Sequence, residues 1–310
     1  MKRFFLLAIL LMPALAACQS EWSEESVSSL DKSAPRVYYA STEQSAPETK
    51  VYADDQLRIL WNAEDSIAIF EKNAYPMLFR FEGNDGDNAG SFEQMEDEDD
   101  IFWFGAEIEH YVAVYPYDEN LAINNDGNVI TLTLPEEQKY LENSFGIGAN
   151  TMVAAGTDKN LRFKNVCGYL CFKLYGENIN VLRLALKVND GERISGKAYV
   201  KIGDVIEETD SNGKVINSYV QLQDEPTVSM DQNAEMGIYL TCKTPVALDA
   251  AKANYKEFWM VVPPTTFANG FTLYVFDDQD NQYSKSTHKS ITIERNHIVR
   301  MAPIDVASLQ

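Results

Sequence analysis

"NVITLTLP", Asn128 to Pro135, decides the fold class. Ile130, Leu132 and Leu134 alternate with Val129, Thr131 and Thr133, and a proline closes the run. Period two places the two sets on opposite faces of a strand, where a helix would scatter both around its circumference. The same pattern recurs outward in both directions. "RVYYAST" (36–42), "LRILWNAEDSIAIF" (57–70), "MLFRFEG" (77–83) and "FWFGAEIEHYVAVYPY" (102–117) lie upstream. "FKNVCGYLCFKL" (163–174) and "FWMVV" (258–262) lie downstream, the latter stopped by Pro263 and Pro264. Between the runs fall Asp85-Gly86, Asp126-Gly127, Asp190-Gly191, Asn212-Gly213 and Asn269-Gly270, each suited to a tight hairpin. The best helical candidate, "ALDAAKANYKEF" (247–258), is short and reads as one or two turns before the strand "FWMVV". The chain is expected to be all-β. A polar break at Gly156 to Asn160 divides it into halves of similar size, 36–156 and 157–310, and no fixed-period repeat is visible.

The chain has 310 residues, 45% hydrophobic and 11% aromatic, enough apolar surface to order most of it in one large β-architecture or two domains. Its formal charge is -21. Loss of Lys2 and Arg3 with a leader leaves 24 basic against 47 acidic residues, or -23. Such a surface repels phosphate backbones and anionic lipids, so nucleic acid is not an expected partner. The acidity reads as solubility with an affinity for cations or basic partners.

Residues 1–17 carry a basic start at Lys2 and Arg3, an apolar run of about 14 residues and small residues before Cys18, the pattern of a secretory signal rather than a membrane span. Leu15, Ala16, Ala17 and Cys18 resemble the lipobox of bacterial lipoproteins, in which the cysteine becomes the acylated first residue of the mature chain. Several acyl chains on one residue anchor stably where one would not. Gln19 is not the aspartate that holds many Gram-negative lipoproteins at the inner membrane. Glu21, Glu24 and Glu25 resemble an acidic surface-export signal. The expectation is a lipid-anchored protein of the outer membrane, facing outward, with 18–35 as a Ser- and Glu-rich flexible tether.

Three further cysteines remain. Read as a strand, "FKNVCGYLCFKL" puts Val166, Leu170, Phe172 and Leu174 on one face and Cys167 and Cys171 on the other. Four residues along a strand span about 13 Å, beyond disulfide reach, so these two cannot pair with each other. Either can meet Cys242 after export, but an odd count leaves at least one thiol free or paired between molecules. Buried structural cysteines are the favoured reading.

Taken in order, several segments resemble the fimbrillin, or Mfa-like, proteins that build type V pili on anaerobic Gram-negative bacteria. They are "RVYYASTEQSAPETKVYADDQLRILWNAEDSIAIF", "HYVAVYPYDEN", "LPEEQKY" and "ANTMVAAG", then "LRFKNVCGYLCFKLYG", "RISGKAYV", "FWMVVPPTTFANGFTLYVFD" and "KSITIERNHIVRM". The match runs from about Arg36 to Met301, and the shared order makes it specific. The resemblance implies two tandem transthyretin-like Greek-key β-sandwich domains in a lipoprotein precursor. It also implies assembly with other fimbrillin subunits by donor-strand exchange after an Arg-specific protease removes an N-terminal strand. Arg36 is the processing candidate and Lys32 and Lys50 are weaker ones; the alternative is that Arg36 is a solvated linker residue. Residues 19–35 do not alternate, and if Val37 to Glu43 is the strand exchanged, cleavage falls later, near Lys50 or Arg58. Shaft subunit, terminal subunit and solitary surface lipoprotein binding a host or bacterial surface ligand all remain open.

"DGDNAGSFEQME" (85–96) resembles an EF-hand loop, but Ala89 removes the fifth-position ligand and strands flank it, so a solvated turn is expected. The run "EDEDD" (96–100) reads as an exposed loop, and no metal or cofactor is expected. His110, His288 and His297 form no zinc pattern, and no nucleophile elbow or phosphate loop is present, so the chain is not expected to be an enzyme. Trp61, Trp103, Tyr115 and Tyr117 are candidates for a glycan platform; at strand spacing they read first as core.

Overall fold

A computed structural model describes residues 36–43, 60–71, 75–95 and 110–309. Among them no α-helix occurs; there are twenty-two strands and two short 3-10 turns, Lys252–Asn254 and Val306–Ser308. The chain is all-β, as the period-two runs require. The segment 247–258 supplies only the first of those turns before strand takes over.

The N-terminal strands close on themselves. β1 (Val37–Thr42), β2 (Ser66–Glu71), β3 (Met77–Phe81) and β4 (Ala89–Gln94) join β5 (Tyr111–Tyr115), β9 (Met152–Gly156) and β10 (Asn160–Asn165) in a barrel of order β1-β10-β9-β5-β2-β3-β4. Every pairing is antiparallel except that of β1 with β10. Aromatic side chains fill the interior. Trp61 stands edge-on to Phe92, Tyr115 and Phe163 at 5.0, 5.3 and 5.7 Å between ring centroids. Such T-shaped contacts add to the area the rings bury. The boundary expected at 156/157 falls in the turn between β9 and β10, whose strands pair through Lys164 with Val153 and Asn165 with Met152.

Three further sheets stack in layers. At the centre, β11 (Gly168–Tyr175) pairs with β16 (Lys256–Val262) on one side and runs parallel to β21 (Ile298–Arg300) and β22 (Ile304–Asp305) on the other. One face of this sheet packs Leu170, Phe172, Leu174, Phe258 and Met260 against a five-stranded sheet of order β19-β18-β12-β15-β8. Its strands are β8 (Glu137–Lys139), β12 (Asn180–Val188), β15 (Gly237–Ala247), β18 (Phe271–Asp277) and β19 (Gln282–Thr287). The opposite face packs Tyr169, Cys171, Trp259 and Val261 against Ile130, Leu132 and Leu134 and against outward residues of the barrel, including Phe70, Val112 and Val114. Those isoleucine and leucines belong to β7 (Val129–Leu134), which lies with β6 (Ala122–Ile123), β13 (Gly196–Thr209) and β14 (Val215–Met230) in a sheet of order β14-β13-β7-β6. A small pair, β17 (Thr265–Phe267) with β20 (Ile291–Ile293), completes the set.

Both β5 and β11 are therefore covered on two sides, which is why "YVAVY" and "GYLCF" are continuously apolar instead of alternating with polar residues. The predicted faces of β11 hold with one correction. Val166 packs with Cys167, not with Leu170, because β11 begins at Gly168 and residues 166 and 167 lie in the link from β10, where strand parity does not apply. Cys167 and Cys171 lie in one core cluster and Cys242 in the other, on opposite sides of the central sheet. All three are buried free thiols, and burial pushes the thiols of Cys167 and Cys242 up to about 12.

Two glycines show what the turn dipeptides supply. Gly213, at φ +79, closes the β13–β14 hairpin. Gly270, at φ +66, also lies where a Cβ would meet the Thr287 carbonyl oxygen at 2.1 Å. Gly191 does not take a positive φ. At the edge of the central sheet the buried Gln138 side chain replaces a strand. Its Nε2 donates to the Val261 carbonyl at 2.8 Å, and its Oε1 accepts from the Val261 N–H at 2.9 Å.

Candidate functional site

The strand that closes the barrel is also the first one described, and it is held in three ways. Its backbone is laddered on both sides, antiparallel to β4 from Val37 opposite Glu93 to Ser41 opposite Ala89, and parallel to β10 from Tyr39 opposite Asn160 to Thr42 opposite Phe163. Flanking bonds extend the ladder: Gln94 N–H donates to the Arg36 carbonyl at 2.9 Å and Glu43 N–H to the Phe163 carbonyl at 2.9 Å. Alternation directs Tyr38 and Ala40 inward. Tyr38 stands edge-on to Phe79 and Tyr111 at 5.3 and 5.2 Å, while Tyr39 points outward and is 59% exposed.

The third hold is a polar clasp at the far end. Glu43, the residue after β1, accepts from Arg295 Nη1 and from the Asn165 N–H. Arg295 also donates through Nε to Glu225 Oε2 at 2.6 Å and through Nη1 to the Asn165 carbonyl at 3.0 Å. The Arg295 side chain is 10% exposed. Burial alone lowers the proton affinity of its guanidinium, but the carboxylates of Glu225 and Glu43 outweigh that and raise it. The hydrogen bond from Arg295 in turn holds the Glu225 carboxyl below its ordinary range. Asp224 sits lower than usual because Lys164 donates to it at 2.7 Å. Beneath the clasp runs a buried amide chain: Asn150 donates to Asn165 at 2.7 Å, Asn165 to Asn296 at 2.8 Å, and the Tyr169 hydroxyl to Asn150 at 3.1 Å. Each amide satisfies the next, as a polar group away from water must.

The residues singled out from the sequence separate clearly. Arg36 precedes β1 directly, with its carbonyl in the ladder to β4. Cys18, Lys32, Lys50, Arg58, Trp103 and the run 96–100 lie outside the described residues. The loop at 85–96 is not EF-hand-like, because its second half, Ala89–Gln94, is strand β4. Asp87 Oδ2 accepts from the Asn84 N–H at 2.9 Å within the turn, as carboxylates do in tight turns, and Asp85 Oδ1 accepts from the Ala63 N–H of a separate loop at 2.8 Å. Trp61 and Tyr115 are buried in the barrel, and Tyr117 is partly buried. Tyr115 donates to Asp65 Oδ1 at 2.8 Å. Desolvation raises the Asp65 pKa, opposed by hydrogen bonds from the Asn62 N–H and Tyr115. His110 stacks on Tyr219 at 4.9 Å, His297 lies beside the Arg295 carbonyl, and His288 is exposed, three separate surroundings. Among the described residues no group of three or more His, Cys, Asp or Glu could hold a metal ion.

Sequence reasoning did not single out Glu43, Arg295, Glu225 or Asn165, which lie up to 252 residues apart. No local signal marks a charge whose partner comes from another sheet.

No protein-family model matches the sequence, and no curated protein does. Solved structures with a similar course include two named "putative cell adhesion protein". The one from Bacteroides ovatus is 11% identical with a TM-score of 0.49, over 89% of this chain and 94% of that one. The one from Bacteroides uniformis is 14% identical with a TM-score of 0.41, over 89% and 94%. The tip fimbrial protein Mfa3 from Porphyromonas gingivalis is 11% identical with a TM-score of 0.31, over 86% and 94%.

Proposed function

We propose that this chain is a non-catalytic, cell-surface fimbrial or adhesive subunit, tethered to the outer membrane through lipid on Cys18, and that β1 is the strand its assembly exchanges. One observation carries the reading. A six-residue strand, flanked by β4 on one side and β10 on the other, is the closure of an otherwise complete barrel. Its withdrawal exposes two strand edges over an aromatic core, and a strand of similar alternation from a second subunit can supply both the ladder and the side chains. The ordered fimbrillin-like segments and the lipobox support the same reading from the sequence.

The test is treatment of the full chain with an Arg-specific protease, followed by N-terminal sequencing and electrophoresis without boiling. Loss of an N-terminal peptide together with denaturant-resistant ladders supports exchange. A protein cut beyond Glu43 that has lost β1 and remains monomeric overturns it. A second reading, a surface lipoprotein that binds glycan or host protein without polymerising, is favoured by the closed state of the barrel, which leaves that sheet without an edge.

A further inference from the structure

We propose that the outer face of the five-stranded sheet binds an anionic polysaccharide. Its inner face is core, since Leu184, Leu186, Leu240, Leu273 and Val275 all pack toward β11. The alternate positions therefore point outward. In one cross-strand row Tyr239, Ala185 and Tyr274 lie side by side. The next row holds Lys139, Thr241, Arg183 and Phe276. Ala185 is only 8% exposed and sits in register between the two tyrosines, a small floor between two ring walls. At the usual strand spacing those walls stand about 10 Å apart, the distance a disaccharide spans. Arg183 lies over two rings, its guanidinium carbon 4.4 Å from the Phe276 centroid and 5.6 Å from that of Tyr239. An arginine fixed in this way keeps its donors directed and loses little freedom on binding.

Charge identifies the occupant. Lys139, Arg183 and Lys187 share the face with Glu137, and Asp278 stands at its end on Asn180, in a chain whose net charge is -21. At physiological salt fields fade over about 8 Å, so a ligand on this face meets the local positive charge before that of the acidic remainder. Duplex nucleic acid carries a charge every ~1.7 Å and would extend into repulsion. A sugar chain bearing sparser sulfates or carboxylates fits three spaced cations, and its apolar ring faces suit tyrosine.

The idea depends on the surface reading only for where the polymer is met. Its test uses purified full-length protein, so failure would leave the assembly proposal standing. Binding of size-fractionated, lightly sulfated dextran and polygalacturonate oligosaccharides is measured by titration calorimetry at physiological salt, against neutral dextran and a double-stranded oligonucleotide of equal length. At least one anionic sugar is expected to bind at least tenfold more tightly than either control, which also separates sulfate from carboxylate recognition. Lys187→Glu and Arg183→Gln are each expected to weaken it at least tenfold, with unchanged circular dichroism. Lys214→Gln, in the β13–β14 turn, is expected to leave binding unchanged. Equal binding of neutral dextran or oligonucleotide, no binding of either anionic sugar, or an equal loss in Lys214→Gln overturns the proposal. So does a salt-sensitive dimer abolished by Lys187→Glu, which would assign the face to a second copy of the chain.

Discussion

Asp65 and Gln138 show how much one buried polar side chain decides. Asp65 closes the turn after Trp61, accepting the Asn62 N–H at 2.7 Å and the hydroxyl of Tyr115, fifty residues away. A carboxyl whose pKa is raised on folding binds its proton more tightly in the native state. Its contribution is greatest at low pH and declines as pH rises from about 4, the unfolded value, through the folded one. Asp65→Asn removes that decline. Urea unfolding of both proteins between pH 4 and 7 should therefore show the balance shifting steadily toward the asparagine variant; a difference independent of pH would mean that Asp65 does not titrate there. Gln138→Leu removes two hydrogen bonds and leaves the Val261 N–H and carbonyl buried without partners. The expected loss is about 2–4 kcal/mol, read as a lower urea midpoint with an unchanged slope. Strand spacing made Trp61 and Tyr115 legible as core. It gave no sign of the Tyr115 bond or of Gln138 as an edge cap, because both depend on partners brought together only by folding.

Among elements, β1 is expected to respond to its clasp. Glu225 is 73% exposed and contributes modestly, whereas Glu43 and Arg295 are largely shielded. Arg295→Ala leaves Glu43 without its cation and should cost about 2 kcal/mol at that end of the strand. Hydrogen exchange at the Tyr39 and Glu43 amides should accelerate about thirtyfold, while β12 and β18 keep their protection. An equal change throughout would show that the clasp stabilises the whole fold rather than this strand. Acid should act in the same direction. The Glu225 pKa is lowered in the folded state, so its share of the clasp is present above about 4.5 and is lost as pH falls through the folded value. The strands themselves were readable wherever one face is core: β7 alternates as expected, and β18 reads buried, half-buried, buried along its length. Not readable was the parallel pairing of β1 with β10, since period two fixes which face is buried but not which distant strand lies alongside.

For the whole molecule, the question is which cleavage opens the barrel. A cut after Arg36 leaves Val37–Thr42 in place with both ladders, Tyr38 and the Glu43 clasp intact, so the product should remain a closed monomer. The cut bond also lies beside a laddered carbonyl, so the start of β1 must fray before a protease can engage it. A cut beyond Glu43, near Lys50 or Arg58, frees the strand to leave. Its departure costs the burial of Tyr38 and Ala40, of which the tyrosine alone contributes about 2 kcal/mol, and leaves β4 and β10 unpaired. Such a state should not persist alone. Protein trimmed beyond residue 43 is expected to oligomerise, and a synthetic peptide of residues 37–43 in excess is expected to keep it monomeric by refilling the gap. The same peptide with Tyr38→Ala should compete at least tenfold less well, because it restores the ladder without the ring that fills the space between Phe79 and Tyr111. Light scattering on the two trimmed proteins separates the alternatives: oligomers from the Arg36 product, or peptide competition indifferent to Tyr38, would show that the exchanged strand is not β1.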